Sequence, residues 1–439
     1  MRILFTNPPS PDKYFYYRDT NRSGRRSKAN EIWPQAGLAQ FAALYPDHEV
    51  KLIDCIAERM PYSRLNDEMK RFRPDWVFFN PVSCTITSDM YVAYMAKQLG
   101  AKTAAISPHL KVVDEHNRFQ YLDHYVSHVK TGAEAEYQLR EIITGEKADG
   151  TTFEDLPPAR QDLLPINRYS MPFIGSGYTA IIASRGCPYA CIYCRTTVAT
   201  ERKIRYRRVE SVIEEIRRYH LTNFILHGDT MTLNRKWIYE FCDHIRRLPW
   251  RVRIVSNSRV DCVDLEMLRE MKSAGWWMIS YGIESGDNRV LAMNKKEATV
   301  EQARKALKWT KEAGIKTWFY AMLGMYGDTA ESMQRTIDLA CETEPDIVNF
   351  SVSAPYVGTE WHSIANEKGW IKDTNWTAFD QNYSAQVDQP GCSRDIVRQF
   401  QRKAYLQWYL SKRGFRFLLN GFRPEYFNYF LKSAINHLR

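Results

Sequence analysis

The sequence predicts an α/β protein of two consecutive units, a doubly wound parallel sheet followed by a partial (β/α)6 barrel, with a helical region after them. Three observations carry this expectation. Short β-branched or aromatic runs alternate with segments of helical spacing through the first third of the chain. The alternation resumes after a Pro-rich polar stretch, and it stops near residue 366. With 439 residues, 44% apolar and 26% charged, the chain can build cores of ordinary size in two or three domains.

In residues 1–150 the runs MRILFTN, EVKLID, DWVFFNP, AKTAAIS and DHYVSHV read as strands, separated by GLAQFAALY, SRLNDEMKRF and SDMYVAYMAKQL. A doubly wound sheet binds ligands at the carboxyl ends of its strands. Those ends carry Asn7-Pro8-Pro9, Asn80-Pro81-Val82-Ser83 and Ser107-Pro108-His109. No G-x-G-x-x-G follows a strand, which argues against NAD. Residues 151–172, containing DLPPARQDLLPINRYSMP, read as a linker. In 173–365, six strands are expected: YTAIIAS, NFILHGD, RVRIVSN, WWMISYGIES, IKTWFYAMLG and DIVNFSVSAP. A barrel of this kind keeps its active site at the strand carboxyl ends. Residues 366–439 read as helical and end in RGFRFLLNGFRPEYFNYFLKSAINHLR. That tail reads as packing that also caps the barrel, ahead of an amphipathic segment resting on a membrane.

Nine scattered cysteines, no leader-like apolar stretch in MRILFTNPPS and no run of membrane-spanning length point to the reducing cytoplasm. The formal net charge of +10 favours acidic or phosphorylated partners. The basic runs at 18–28 and 202–208 nevertheless read first as solvated faces.

Cys187, Cys191 and Cys194 form a C-x3-C-x2-C triplet directly after the first barrel strand. A reducing compartment disfavours a disulfide framework. Structural zinc calls for four ligands, usually as two separated pairs, and the second pair is missing. Buried thiols brought together by chance remain the bland alternative. Three thiolates on one loop suit a [4Fe–4S] cluster with one iron left open for chemistry.

The triplet, with Tyr193 before its last cysteine, resembles the radical S-adenosylmethionine (radical SAM) superfamily over residues 173–365. The resemblance implies a cluster whose open iron is chelated by S-adenosylmethionine, cleavage of that molecule to a 5′-deoxyadenosyl radical, and hydrogen abstraction from an unactivated carbon. It places Gly228 and Asp229, in HGDT, at the S-adenosylmethionine amine, where the family more often has Gly-Gly-Glu. Asn257 and Arg259 close the third barrel strand. Glu284 and Ser285, in YGIESG, stand at the ribose or carboxylate, and APYVGTE borders the adenine.

WPQAGLAQFAAL and GIESG together resemble the subclass with an N-terminal cobalamin-binding domain of Rossmann type. In that comparison Ser83, Thr85 and Ser88 make room for the cobalamin nucleotide tail, and Gly132 keeps a later family glycine. Ile106-Ser107 stands where family members have Gly-Gly, so the sequence leaves cobalamin open. The preferred expectation is cobalamin-dependent C-methylation of a small molecule in secondary-metabolite or lipid biosynthesis, with an electron donor such as flavodoxin or ferredoxin. The alternative is cobalamin-independent dehydration, epimerisation or cyclisation of a sugar or aminoglycoside. A zinc-stabilised nucleic-acid-binding module is the reading of another class.

Overall fold

The computed structural model describes residues 1–18, 25–27, 31–107, 120–126, 135–146, 151–171, 174–373, 375, 379–382, 385–411 and 414. Pro108, His109, Gly132, most of the basic run at 18–28 and all of 413–439 except Gly414 lie outside the described residues. Two compact units emerge, one of residues 1–186 and 198–221, the other of 187–197 and 222–439. Among the described residues no helix is long and apolar enough to cross a membrane.

The first unit holds β1 (Arg2–Asn7), α1 (Ala36–Ala42), β2 (Glu49–Asp54), α2 (Tyr62–Phe72), β3 (Trp76–Phe79), α3 (Ile86–Gln98), β4 (Lys102–Ile106), β5 (His124–Val126) and α4 (Ala135–Thr144). The five strands pair in parallel in the order β2-β1-β3-β4-β5. Ile3, Leu4, Phe5, Val77, Phe78 and Phe79 are fully buried, as the continuous apolar runs of central strands covered on both faces should be. The chain leaves β1 toward β2 on one side and returns at β3 on the other, so the topological switch point lies between β1 and β3.

Residues 151–171, expected as a linker, pack inside this unit. Phe153, Leu156 and Tyr169 are buried. The side chain of Gln161 donates to Glu215 at 2.8 Å and accepts from Thr179 at 2.7 Å. These partners come from α5 (Val209–Arg218) and β6 (Thr179–Ile182), the first of the six strands expected for the barrel.

The second unit repeats strand and helix: β7 (Asn223–His227), α6 (Arg235–Arg246), β8 (Arg253–Ser258), α7 (Leu265–Ser273), β9 (Trp276–Glu284), α8 (Asn288–Met293), α9 (Val300–Glu312), β10 (Lys316–Leu323), α10 (Ala330–Thr343), β11 (Ile347–Val352), α11 (Glu360–Glu367) and α12 (Arg394–Leu410). Strands β7 to β11 pair in sequence order, all parallel, and the sheet does not close into a barrel. Side-chain oxygens of Asn234, Asp264, Thr299, Thr329, Thr359 and Ser393 accept first-turn backbone N–H groups and fix where the helices start. Each such cap contributes about 1 kcal/mol. The caps at Asn234 and Asp264 fix the junctions at the carboxyl ends of β7 and β8.

Candidate iron–sulfur and S-adenosylmethionine site

The nine cysteines are all free. Cys187, Cys191 and Cys194 lie on a loop closed by a bond from the Cys194 N–H to the Cys191 carbonyl at 3.1 Å. Ile192 in the middle of the loop is gripped from two directions. Its N–H donates to the carbonyl of Asn294 at 3.2 Å, and its carbonyl accepts from the N–H of Trp361 at 3.0 Å. The Ile192 side chain packs in a cluster with Trp361, Ala365 and Val387, and Tyr193 contacts both this cluster and a second one of Val290, Met322 and Met325. Tyr193 thus anchors the loop as an aromatic wedge.

Burial pushes all three thiols above their ordinary pKa, and to a lesser degree Cys194 adds to the rise at Cys187 and Cys191 to that at Cys194. Three free soft donors on one short loop, Cys191 buried and Cys187 and Cys194 half-buried, are the ligand type that an iron–sulfur cluster takes, so these residues fit one.

Two residues after β7 reach this loop. Thr230 donates to the Cys187 sulfur at 3.4 Å. The half-buried Asp229 accepts from Thr196 at 3.1 Å, and Gly228 just before it is buried. Beyond β8, Arg259 spans several groups. Its guanidinium stands 3.4 Å over the ring of Tyr189, pairs with Asp261 at 2.9 Å, and donates to the carbonyls of Lys296 and Glu297 at 2.7 and 3.2 Å. Burial works against its charge, but hydrogen bonding and proximity to Asp261 outweigh that and raise its pKa. Arg259 therefore acts here as a strut between loops. Asn257 is half-buried near the end of β8, in register with Ser280.

At the end of β9 the register slips between Gly282 and Glu284, and Glu284 has φ +72°, a left-handed backbone that non-glycine residues seldom adopt. The slip aims its carboxylate at Lys296, 3.2 Å away. A Cβ on Gly282 would come within 2.6 Å of the Glu284 Oε1. The space that glycine leaves is a cradle for this carboxylate. Ser285 turns the other way: its fully buried hydroxyl lies 3.4 Å from that of Thr336 on α10 and accepts the Asp287 N–H at 3.2 Å. Asp229, Arg259 and Glu284 are thus brought around the cysteine loop, whereas Ser285 belongs to the packing of a helix. Two carboxylates flanking three thiols fit the amine and hydroxyl groups of S-adenosylmethionine. Lys296, Thr196 and Thr230 were not expected from the sequence.

In the first unit, the hydroxyls expected at a nucleotide tail are occupied. Thr85 donates to Asp89 at 2.6 Å and accepts from Arg18 at 3.4 Å, while Ser88 donates to the Thr85 carbonyl at 2.8 Å. Ser83 is 1% exposed. Arg18 and Asp89 form a wholly buried ion pair at 2.7 Å, and Arg18 also donates to the carbonyls of Pro8 and Pro9. Unpartnered acceptors lie at the ends of the two strands that flank the switch point. Asn7 donates to Asp54 at 2.7 Å and Asn80 to Gln35 at 2.9 Å, leaving Asn7 Oδ1, Asn80 Oδ1 and the Ser10 hydroxyl buried without a hydrogen-bond partner among the described residues. The Asn80 orientation is forced, because Gln35 Nε2 already donates to the carbonyls of Arg18 and Trp33. Buried acceptors of this kind fit a ligand rich in N–H donors, as the amide arms of a corrinoid are.

Residues 181–340 match the sequence model of the Radical SAM superfamily. The chain carries a radical SAM domain. A domain of this kind makes the chain an enzyme, and a small-molecule substrate is consistent with it. This radical SAM chain is 24% identical to an uncharacterized methyltransferase of Pyrococcus horikoshii, over 94% of its own length and 93% of the relative's. It is 25% identical to the anaerobic magnesium-protoporphyrin IX monomethyl ester cyclase of Cereibacter sphaeroides, over 99% of its own length and 75% of that protein. Two solved structures share its fold at 14% identity. One is the cobalamin-dependent S-adenosylmethionine radical enzyme OxsB, with aqua-cobalamin and S-adenosylmethionine bound, at TM-score 0.70 over 99% of this chain and 71% of that one. The other is the radical S-adenosylmethionine methyltransferase TsrM from Kitasatospora setae, at TM-score 0.64 over 93% and 88%. The expected α/β fold, with its N-terminal doubly wound sheet ahead of a radical SAM unit, is the one these proteins share.

Proposed function

We propose that this radical SAM enzyme methylates an unactivated carbon of a small molecule and uses a corrinoid to do so. The observation that carries the reading is the match along nearly the whole chain, N-terminal unit included, to a relative named as a methyltransferase. In this reading residues 1–150 hold the corrinoid and 173–365 hold the cluster. Cys187, Cys191 and Cys194 ligate iron; Asp229 receives the S-adenosylmethionine amine and Glu284 a hydroxyl or the amino-acid end of the same molecule. Asn7, Ser10 and Asn80 take the corrinoid amides. When bound, the cluster supplies the electron that cleaves S-adenosylmethionine and the corrinoid carries the methyl group. Buried Ile192 and Trp361, with Tyr193 packed against them, keep water from one side of the loop. A flavodoxin or ferredoxin as electron donor and a cytoplasmic setting complete the proposal.

A second reading, radical dehydration, epimerisation or cyclisation without cobalamin, is favoured by one observation: Arg18 and Asp89 fill part of the switch-point crevice and occupy Thr85. Anaerobic purification from cells supplied with cobalamin separates the two. Methylation requires about one corrinoid per chain and transfer of label from methyl-labelled S-adenosylmethionine. Iron-replete protein that forms 5′-deoxyadenosine without binding corrinoid would establish the second reading instead.

A further inference from the structure

Lys296 is the one buried lysine among the described residues, 5% exposed. Burying an ammonium is costly unless its charge is used. The turn that presents it is built with strain, since Lys295 and Glu297 on either side have φ +52° and +53°. Several groups hold that turn in place. Asn294, fully buried, ties its side chain to the carbonyls of Val290 and Tyr326 at 2.8 and 2.9 Å, and Arg259 donates to the carbonyls of Lys296 and Glu297. The carbonyl of Asn294 receives the N–H of Ile192, so the turn is fastened to the cysteine loop one residue from Cys191. The ammonium, two residues along the chain from the Asn294 carbonyl that holds Ile192, meets Glu284 at 3.2 Å.

We infer that Lys296 is a positioning charge for the Cys191 corner of the cluster, and that the opposed pair Lys296 and Glu284 sets how readily the cluster accepts an electron. The inference rests on the cluster assignment and is independent of the corrinoid. Reduction from [4Fe–4S]2+ to [4Fe–4S]1+ adds one negative charge in a place screened from water. A fixed cation beside a ligating sulfur stabilises the reduced state, and a carboxylate beside it opposes that. Arg259 lies over the Tyr189 ring in a pair with Asp261, and Lys296 is the cation that Glu284 opposes on the turn bonded to the residue next to Cys191.

The test uses the full chain, reconstituted anaerobically, with iron content measured and the reduced cluster followed by EPR at a fixed dithionite and mediator poise, before S-adenosylmethionine is added. Lys296→Met should keep its iron while the ratio of reduced to oxidised cluster falls on the order of tenfold. Lys296→Arg should restore most of the ratio. Glu284→Gln should move it upward. Unchanged ratios in Lys296→Met and Glu284→Gln would overturn the inference, and weaker S-adenosylmethionine binding with an unchanged ratio would make Lys296 a ligand contact only. If Lys296→Met fails to hold iron, Glu284→Gln decides alone, and an unchanged ratio there overturns it. Wild-type protein without a [4Fe–4S] signal would instead refute the cluster assignment.

Discussion

Cys187, Cys191 and Cys194 have no substitute ligands within their loop, so Ala at any one of them leaves two anchors. Each variant is expected to lose the brown chromophore and most of its iron while keeping its far-ultraviolet circular dichroism; full iron with 5′-deoxyadenosine formation would contradict the assignment. Removing the carboxylate of Asp229 should weaken S-adenosylmethionine binding by about 1.5–3 kcal/mol, the range for a charge-assisted bond in a cleft, as read by calorimetry on iron-replete protein. What could be read from the sequence at this scale was spacing. Three cysteines within eight positions carry their own signal. Lys296 carries none, because in MNKKEAT it is indistinguishable from Lys295, which lies on the surface against Glu360. Ser83, Thr85 and Ser88 illustrate the opposite limit: the residue type was apparent, but whether a hydroxyl is already engaged depends on Asp89 and Arg18, which only the fold brings near.

The end of β9 shows how one short element does two jobs with two glycines. A Cβ on Gly286 would stand 2.4 Å from the backbone carbonyl of Arg335, and neither partner can swing away, because the glycine N–H is also bound to Thr336 at 2.8 Å. Gly286→Ala must push α10 off the strand and is expected to cost about 1–3 kcal/mol, seen as a lower melting temperature. Gly282→Ala meets the movable end of Glu284 instead. Its melting temperature should stay near wild type while S-adenosylmethionine affinity drops, and the reverse pattern would assign the cradle to packing. The G-I-E-S-G pattern marked this place in the sequence. The left-handed Glu284 and the division of labour between Glu284 and Ser285 did not show there, since both follow from a register slip against β10.

At the scale of the molecule, the alternation of strand and helix made the parallel α/β organisation legible. The extent of each unit was not, because proline-rich composition reports local conformation rather than what Phe153, Leu156 and Tyr169 are buried against. Buried acids give the whole chain a predictable response to pH. Burial raises Asp54 to about 6, although the N–H of Ala57 and the side chain of Asn7 oppose it. A raised folded pKa means that the native state keeps the proton longer than the unfolded chain, so stability present below the ordinary carboxylate pKa is lost as pH rises through about 6. The loss amounts to about 3 kcal/mol for this group. Asp54→Asn keeps an acceptor for Asn7, Ile56 and Ala57, and its melting temperature should gain on wild type steadily from pH 4 to 7; a constant difference would show that Asp54 does not titrate there. The double grip on Ile192 bears on biogenesis. Both of its backbone partners, Asn294 and Trp361, are translated long after the cysteines, so a nascent chain exposes three unbraced thiols until most of the protein has left the ribosome. Bracing of the loop is then a late event in the life of the polypeptide, and oxygen encountered earlier meets sulfurs that are not yet held in place.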